Sequence, residues 1–317
     1  MSEHSLTPSL TPSLTSAEIT TQPACWRRAA ETAAAAAGTT GLPRPGERVA
    51  VTGCGTSWFM AQAYAALREA SGQGETDAFP ASEFPVMRTY DRLVVITRSG
   101  TTTEVLDLIE EVRERWEVFA LTADPASPVV RGADGTAVLD WADEASVVQT
   151  RFATTALAYL RAGLEASGAL PAGVKGMAEA AADAETALKD PLPVEVLAAG
   201  QWTFLGAGWA YGLAQEAALK MREAAGAWTE AYPAMEYRHG PVAITAPGRV
   251  AWLLGTAPAG LETDISRTGG TLVADGARLD PMADLIRAQR LAVAVAESRN
   301  LNPDTPKNLT RSVILNG

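Results

Sequence analysis

The stretch Val49-Ala50-Val51-Thr52-Gly53-Cys54-Gly55-Thr56-Ser57 decides the fold. A short β-run over 48–52 ends in a Gly-x-Gly turn that carries two hydroxyls, and an Ala-rich helix follows over 58–70. The same unit then recurs downstream. Residues 92–97 (RLVVIT) form a continuously apolar strand, Arg98-Ser99-Gly100-Thr101-Thr102-Thr103 a turn, and 104–115 a helix. Further strands are expected over 118–122 and 137–139, and a long helix over 150–166. Strands that are apolar throughout and separated by helices belong to a parallel sheet covered on both faces, so the class is α/β.

After a Pro/Gly/Ala-rich joint at 167–173 the pattern restarts. Residues 202–208 (WTFLGAG) open a helix as 49–55 (VAVTGCG) do, and an offset of 153 puts Gly206 on Gly53, Gly208 on Gly55, Ala214 on Ala61, Gln215 on Gln62 and Ala218 on Ala65. The chain of 317 residues therefore reads as two similar α/β halves. The expected division is a Ser/Thr/Pro tail at 1–24, disordered because the four-residue repeat of 5–16 has little to bury, then a first domain at 25–168 and a second at 169–317. The first domain opens on an Ala-rich helix over 25–37, which the Pro and Gly of 41–48 stop.

With 26 Lys+Arg against 37 Asp+Glu and a net charge of −11, the chain is a poor candidate for binding nucleic acid or an anionic membrane surface. Cys25 and Cys54 are too few for a disulfide framework or a four-thiolate zinc site, and neither a structural metal nor a cofactor is expected. No run approaches the ~20 apolar residues that span a bilayer, and no leader-like segment stands at the start, so a cytoplasmic location is expected.

The third glycine of a dinucleotide fingerprint would fall on Trp58 in the first half and Tyr211 in the second, which argues against dinucleotide binding. What remains are two hydroxyl-rich turns, Thr56-Ser57 and 97–103, at the carboxyl ends of strands in one sheet. Thr101 and Glu104 read as a capping box. Open α/β sheets bind ligands at that edge, and helix N-termini with hydroxyl donors suit a phosphate ester.

In the second half, Glu216, Lys220 and Glu223 stand at i, i+4 and i+7, on one face of a helix rich in alanine. Such a stripe is either a solvated salt-bridge ladder or, in a packed helix, a functional set. His239, in the loop Glu236-Tyr237-Arg238-His239-Gly240-Pro241, is the one histidine outside the tail and the one ordinary group titrating near neutrality. A carboxylate, an ammonium and an imidazole near a phosphate site suit proton transfer beside a sugar carbonyl.

These segments resemble the sugar isomerase (SIS) superfamily, in particular the isomerase half of the glutamine:fructose-6-phosphate amidotransferases, the glucosamine-6-phosphate synthases. The resemblance is carried by Gly53-Cys54-Gly55-Thr56-Ser57, by Ser99-Gly100-x-Thr102, and by the run from Phe204 through Lys220-x-x-Glu223 to Glu230-Ala231-Tyr232 and His239-Gly240-Pro241. It continues in Asn302-x-x-x-Pro306-x-Asn308-Leu309-x-x-Ser312-Val313, and covers nearly the whole chain from about residue 25. It implies two SIS domains, each a five-stranded parallel sheet between helices in flavodoxin-like, doubly wound order. It also implies a homodimer with the site near the subunit interface, and no cofactor. Thr56, Ser57, Thr97, Ser99 and Thr102 would hold the sugar phosphate, with Arg98 where the synthases have Gln, and Cys54, Gly55, Val147, Thr310 and Arg311 would complete the lining. Glu223 would move the proton between C1 and C2, Lys220 would face the substrate oxygens or nitrogen, and His239 would assist ring opening in its own or the neighbouring subunit's site.

Two positions depart from that pattern. Arg311 replaces the lysine that the synthases place by the carbonyl, and an arginine does not form an imine. Gln149 replaces a small Ser after Val147, which reshapes the sugar pocket. The glutamine-hydrolysing domain is also absent from these 317 residues. The expected function is a phosphosugar isomerase or amino-sugar-phosphate deaminase, working by an enediol or enolamine proton shift. The alternative is a non-catalytic sugar-phosphate-binding regulator on the same fold.

Overall fold

A computed structural model describes residues 12–36, 41–275 and 278–315. The first half runs α1 (Leu14–Thr20), α2 (Gln22–Ala35), β1 (Val49–Gly53), α3 (Thr56–Ala70), β2 (Thr76–Pro80), β3 (Arg92–Ile96), α4 (Thr103–Val112), β4 (Glu117–Thr122), α5 (Pro128–Gly132), β5 (Gly135–Val138) and α6 (Arg151–Ala166). The second half runs α7 (Met177–Ala187), α8 (Val194–Leu197), β6 (Gln201–Gly206), α9 (Ala210–Ala225), β7 (Thr229–Pro233), β8 (Arg249–Leu254), α10 (Leu261–Ser266), β9 (Thr271–Ala274) and α11 (Pro281–Ser298).

Every residue of β1 and β3 is buried, as is all of β4, β6 and β8 beyond the first residue, which is why these stretches read as unbroken apolar runs. All strand pairs are parallel. The first sheet has the order β2-β1-β3-β4-β5, the flavodoxin-like arrangement. Among the described residues the second has the order β7-β6-β8-β9, one strand short of the five that the resemblance implies. Its missing counterpart is α5 and β5. After β9, Asp280 accepts from the Met282 N–H at 3.0 Å and caps α11, with Pro281 in its first turn, so a long helix starts where the first half makes its last strand.

The edge strands β2 (TDAFP) and β7 (TEAYP) escaped the sequence reading because a half-buried edge tolerates Asp, Glu and Pro. They also carry the duplication further. Val49 pairs with Thr76 and Gly53 with Pro80; Trp202 pairs with Thr229 and Gly206 with Pro233, each residue shifted by the same 153 that separates Gln62 from Gln215.

The halves meet along α3 and α9, where the Gln215 side-chain amide donates to Gln62 Oε1 at 2.6 Å. A Cβ added at Gly212 would lie 2.5 Å from the Phe59 carbonyl oxygen, so only glycine permits this approach. One apolar core, with Trp26, Phe152, Trp202 and Leu285 among its members, lies between the sheets and is shared by both halves. Two smaller clusters cover the outer faces, around Trp116 on the first sheet and Tyr237 on the second.

The tail expectation needs correction. Residues 1–11 lie outside the described residues, but 14–20 form α1, capped by the Ser13 hydroxyl accepting from Ser16 N–H at 3.2 Å. Thr15, Glu18, Ile19 and Gln22 are buried. The hydroxyls and carboxylate that read as disorder find distant partners, Thr15 with the Asp304 carboxylate at 2.8 Å and Gln22 with Gln289 at 2.7 Å. Among the described residues no helix is long and apolar enough to cross a membrane.

Candidate functional site

The carboxyl ends of β1 and β3 run straight into the N-termini of α3 and α4. At the first, Gly55 takes φ 54°, a left-handed conformation that glycine adopts without strain, and α3 starts at the next residue. At the second, Thr97 Oγ1 accepts from the Gly100 N–H at 3.3 Å and folds the turn back on itself. Both helix ends, each with its partial positive charge, face one cavity of about 210 Å³.

Cys54, Gly55, Thr56, Ser57, Thr97, Arg98, Ser99, Thr102, Val147, Thr310 and Arg311 all line this cavity, together with Glu223. Eleven positions assigned to substrate from the sequence thus converge from four separate segments. Lys220 stands behind Thr56, its ammonium donating to Thr56 Oγ1 at 2.9 Å and to Glu223 Oε2 at 2.5 Å. His239 is not brought in: it is exposed, in a 3-10 turn over Glu236–His239, and does not line the cavity of its own chain.

Lys220 lies 3.3 Å from Glu216 as well, and both are buried. Burial alone would lower the lysine's pKa, but two carboxylates more than offset it and the net shift is upward. One ammonium faces two carboxylates, of which only Glu216 is fully enclosed. Glu216, fully enclosed, is the member whose pKa rises, to about 8, through burial, opposed by Lys220 and reinforced by Glu223. The raised pKa favours the neutral form of Glu216 beside the Lys220 ammonium, while the Glu223 side chain remains 19% accessible at the cavity.

Arg98 does not stand free to meet a phosphate. Its guanidinium donates to the carbonyls of Ser146 at 3.2 Å, Val147 at 3.4 Å and Arg311 at 3.3 Å, and lies 3.6 Å from the Glu144 carboxylate. Burial lowers its pKa against the pull of Glu144. Glu144 in turn accepts from the N–H groups of Thr150, Arg151 and Phe152, capping α6. Arg311 turns outward to the Asp143 carboxylate and the Glu144 carbonyl. The Cys54 thiol is pushed up to about 11 by burial and the nearby Glu104, so it is neutral at physiological pH.

The capping box expected from Thr101 and Glu104 does not form. Thr102 is the N-cap residue of α4 and makes no side-chain cap; its hydroxyl lies 3.5 Å from Ser312, and Thr101 Oγ1 donates to Ser99 and Ser312 instead. Ser312 was missed as a site residue. It lies at hydrogen-bonding distance from Ser99 and Thr101, at the centre of the hydroxyl cradle. The motif Asn308-Leu309-x-x-Ser312 held the signal, but nothing in its spacing shows that the end of the chain returns to β3. Gln149 also lines the cavity.

Residues 44–162 match the family described as the SIS domain. The chain is 27% identical to the glutamine–fructose-6-phosphate aminotransferase [isomerizing] of Nostoc sp. (strain PCC 9229), over 84% of this chain and 52% of that protein. It spans about half the length of the curated relatives it matches. Its fold is similar to that of a glucosamine-6-phosphate deaminase from Thermotoga maritima, with a TM-score of 0.80 at 23% identity over 96% of this chain and 100% of that one. It is similar too to the C-terminal domain of the glucosamine-fructose-6-phosphate aminotransferase of Francisella tularensis, with a TM-score of 0.75 at 20% identity over 95% and 100%. Residues 44–162 are thus similar to the SIS domain, and the chain as a whole to part of the glutamine–fructose-6-phosphate aminotransferases.

Proposed function

We propose that this chain, built as two SIS-like halves, is an enzyme acting on a sugar or amino-sugar 6-phosphate, as an aldose–ketose isomerase or a deaminase. The observation that carries the reading is the junction of two chemistries in one cavity: a hydroxyl cradle at two helix N-termini, and the Lys220–Glu223 pair reaching it from α9. The phosphate sits among Thr56, Ser57, Thr97, Ser99 and Thr102. Glu223, as carboxylate, takes the C2 proton of the open-chain sugar and returns it to C1, while the Lys220 ammonium supports the oxygen or nitrogen on which negative charge develops. On an amino sugar the same shift converts the enolamine to a C2 imine. Water adds there, ammonia leaves, and a ketose phosphate remains. His239 is assigned to ring opening, in its own or a partner subunit's site; its exposure suits the second.

The names of the relatives and neighbours, glucosamine-6-phosphate deaminase and isomerizing aminotransferase, support this substrate class. The position of His239 favours one rival, a regulator that binds sugar phosphates without turning them over. Glu223→Gln decides between them. With a panel of hexose and hexosamine 6-phosphates assayed for ketose and ammonia, the variant is expected to lose about 10²–10⁴-fold in turnover while still binding. A wild-type protein that binds and turns over nothing would establish the regulator. Ammonia release separates deaminase from isomerase.

A further inference from the structure

We infer that Glu18, on the first helix of the chain, is a positioning residue for the sugar-phosphate site, holding the wall formed by 145–148 so that Arg98 and the C-terminal segment can close on it. The inference rests on the functional reading above. The Glu18 carboxylate accepts from the backbone N–H groups of Ala145 at 2.6 Å and Ser146 at 3.3 Å, and from the Ser146 hydroxyl. The Ala145 N–H shares its peptide with the Glu144 carbonyl, which receives the Arg311 guanidinium, and the carbonyls of Ser146 and Val147, which receive Arg98, belong to the peptides that follow directly. Arg98 sits between Thr97 and Ser99 in the cradle, and its third carbonyl partner is Arg311 of the C-terminal segment.

The same helix grips that segment from its other end. The N–H groups of Leu14 and Thr15 donate to the Asp304 carboxylate at 2.9 and 2.8 Å, Thr15 Oγ1 reaches the same carboxylate, and the Asp304 carbonyl accepts from Val147 N–H at 3.0 Å. Apart from the Gln22 side chain on the Ile19 carbonyl, the hydrogen bonds between α1 and described segments beyond its own cap go to 145–146 and 303–304, the stretches leading into the cavity wall. A helix that served only to cover the core would not need them. Arg98 ties 144–147 to Arg311, and 14–18 holds 145–146 and 304 from the other side. Loss of Glu18 leaves the 145–146 N–H groups unpaired, frees the carbonyls to turn, and displaces Arg98 and the phosphate-binding turn without touching substrate.

The test is calorimetric titration of the full chain with the hexose and hexosamine 6-phosphate panel, well below the unfolding midpoint of each variant so that a loss of global stability alone leaves affinity unchanged. Glu18→Ala is expected to bind about tenfold to a hundredfold more weakly than wild type, and Glu18→Gln, which retains one acceptor oxygen, to fall between them. If Glu18→Ala does not fold, Glu18→Gln decides alone, an intermediate loss supporting the inference. Wild-type affinity in either folded variant overturns it while leaving the functional reading intact. A wild-type protein that binds no member of the panel overturns both.

Discussion

Glu216 shows how much one residue's surroundings decide. In sequence it is one rung of a Glu-Lys-Glu stripe, equivalent to Glu223; in the fold it is sealed while Glu223 opens on the cavity. Its pKa, raised from 4.5 to about 8 by burial, makes a prediction with a definite sign. Between those values the unfolded chain has lost the proton that the native state keeps, so this group's contribution to stability is fully present below 4.5 and is lost as pH rises to 8. Glu216→Gln removes the ionisation. The thermal midpoint of wild type is expected to fall more steeply than that of Glu216→Gln between pH 5 and 8, within the window from 4.5 to about 8, as checked by calorimetric scans; parallel curves would rule out the raised pKa. The same contrast limits what was legible in the candidate site: residue types and spacing named Lys220 and Glu223, but not which carboxylate is wet.

For the elements, α3 and α9 approach closely at Gly212, and there two effects oppose each other. Replacing Gly212 by Ala should favour an isolated helix by about 1 kcal/mol. The new Cβ, however, would meet the Phe59 carbonyl oxygen at 2.5 Å and the Ala63 nitrogen at 2.9 Å, and backbone cannot give way as a side chain can. Overpacking of that kind costs about 1–3 kcal/mol and should win. Gly212→Ala is therefore expected to lower the urea midpoint despite its better helix propensity. Turnover should fall too, because this helix pair sets the distance from Lys220 to Thr56. Helix α1 likewise depends on what it packs against. A Ser/Thr-rich stretch with few apolar residues reads as a solvated tail, and its order comes from Asp304 and the 145–146 peptides, partners that lie far away in sequence.

At the scale of the whole molecule, duplication did not produce two equal sites. Shifting Glu216, Lys220 and Glu223 back by 153 lands on Ala63, Leu67 and Ala70, and shifting Thr56 and Ser57 forward lands on Trp209 and Ala210. The hydroxyl cradle lies in the first half and the Lys220–Glu223 pair in the second, and they meet across α3 and α9 at one cavity. If the chain works as a dimer in which His239 serves the neighbouring subunit, two inactive variants should complement. A mixture of unfolded and jointly refolded Glu223→Gln and His239→Ala chains is expected to recover about a quarter of wild-type turnover, since half the dimers are mixed and each holds one intact site. Absence of recovery in mixed dimers would place His239 in its own chain's site.

The sequence alone determined the α/β class, the repeat, the two hydroxyl turns and the Lys220–Glu223 pair, because periodicity, glycine turns and helical spacing are local properties of the chain. The resemblance implied a fifth strand in the second sheet where the described residues form four, and the sequence reading dissolved α1, because both depend on what packs against what. Only the tertiary structure decided that Thr56 meets Lys220, that Ser312 returns to the cradle, that Arg98 is committed to carbonyl oxygens, and that His239 is exposed and does not line the cavity of its own chain. Each of these is a contact between residues far apart in sequence. Distance along the chain carries no record of closeness in space, and burial, which divides Glu216 from Glu223, exists only once the helices have packed.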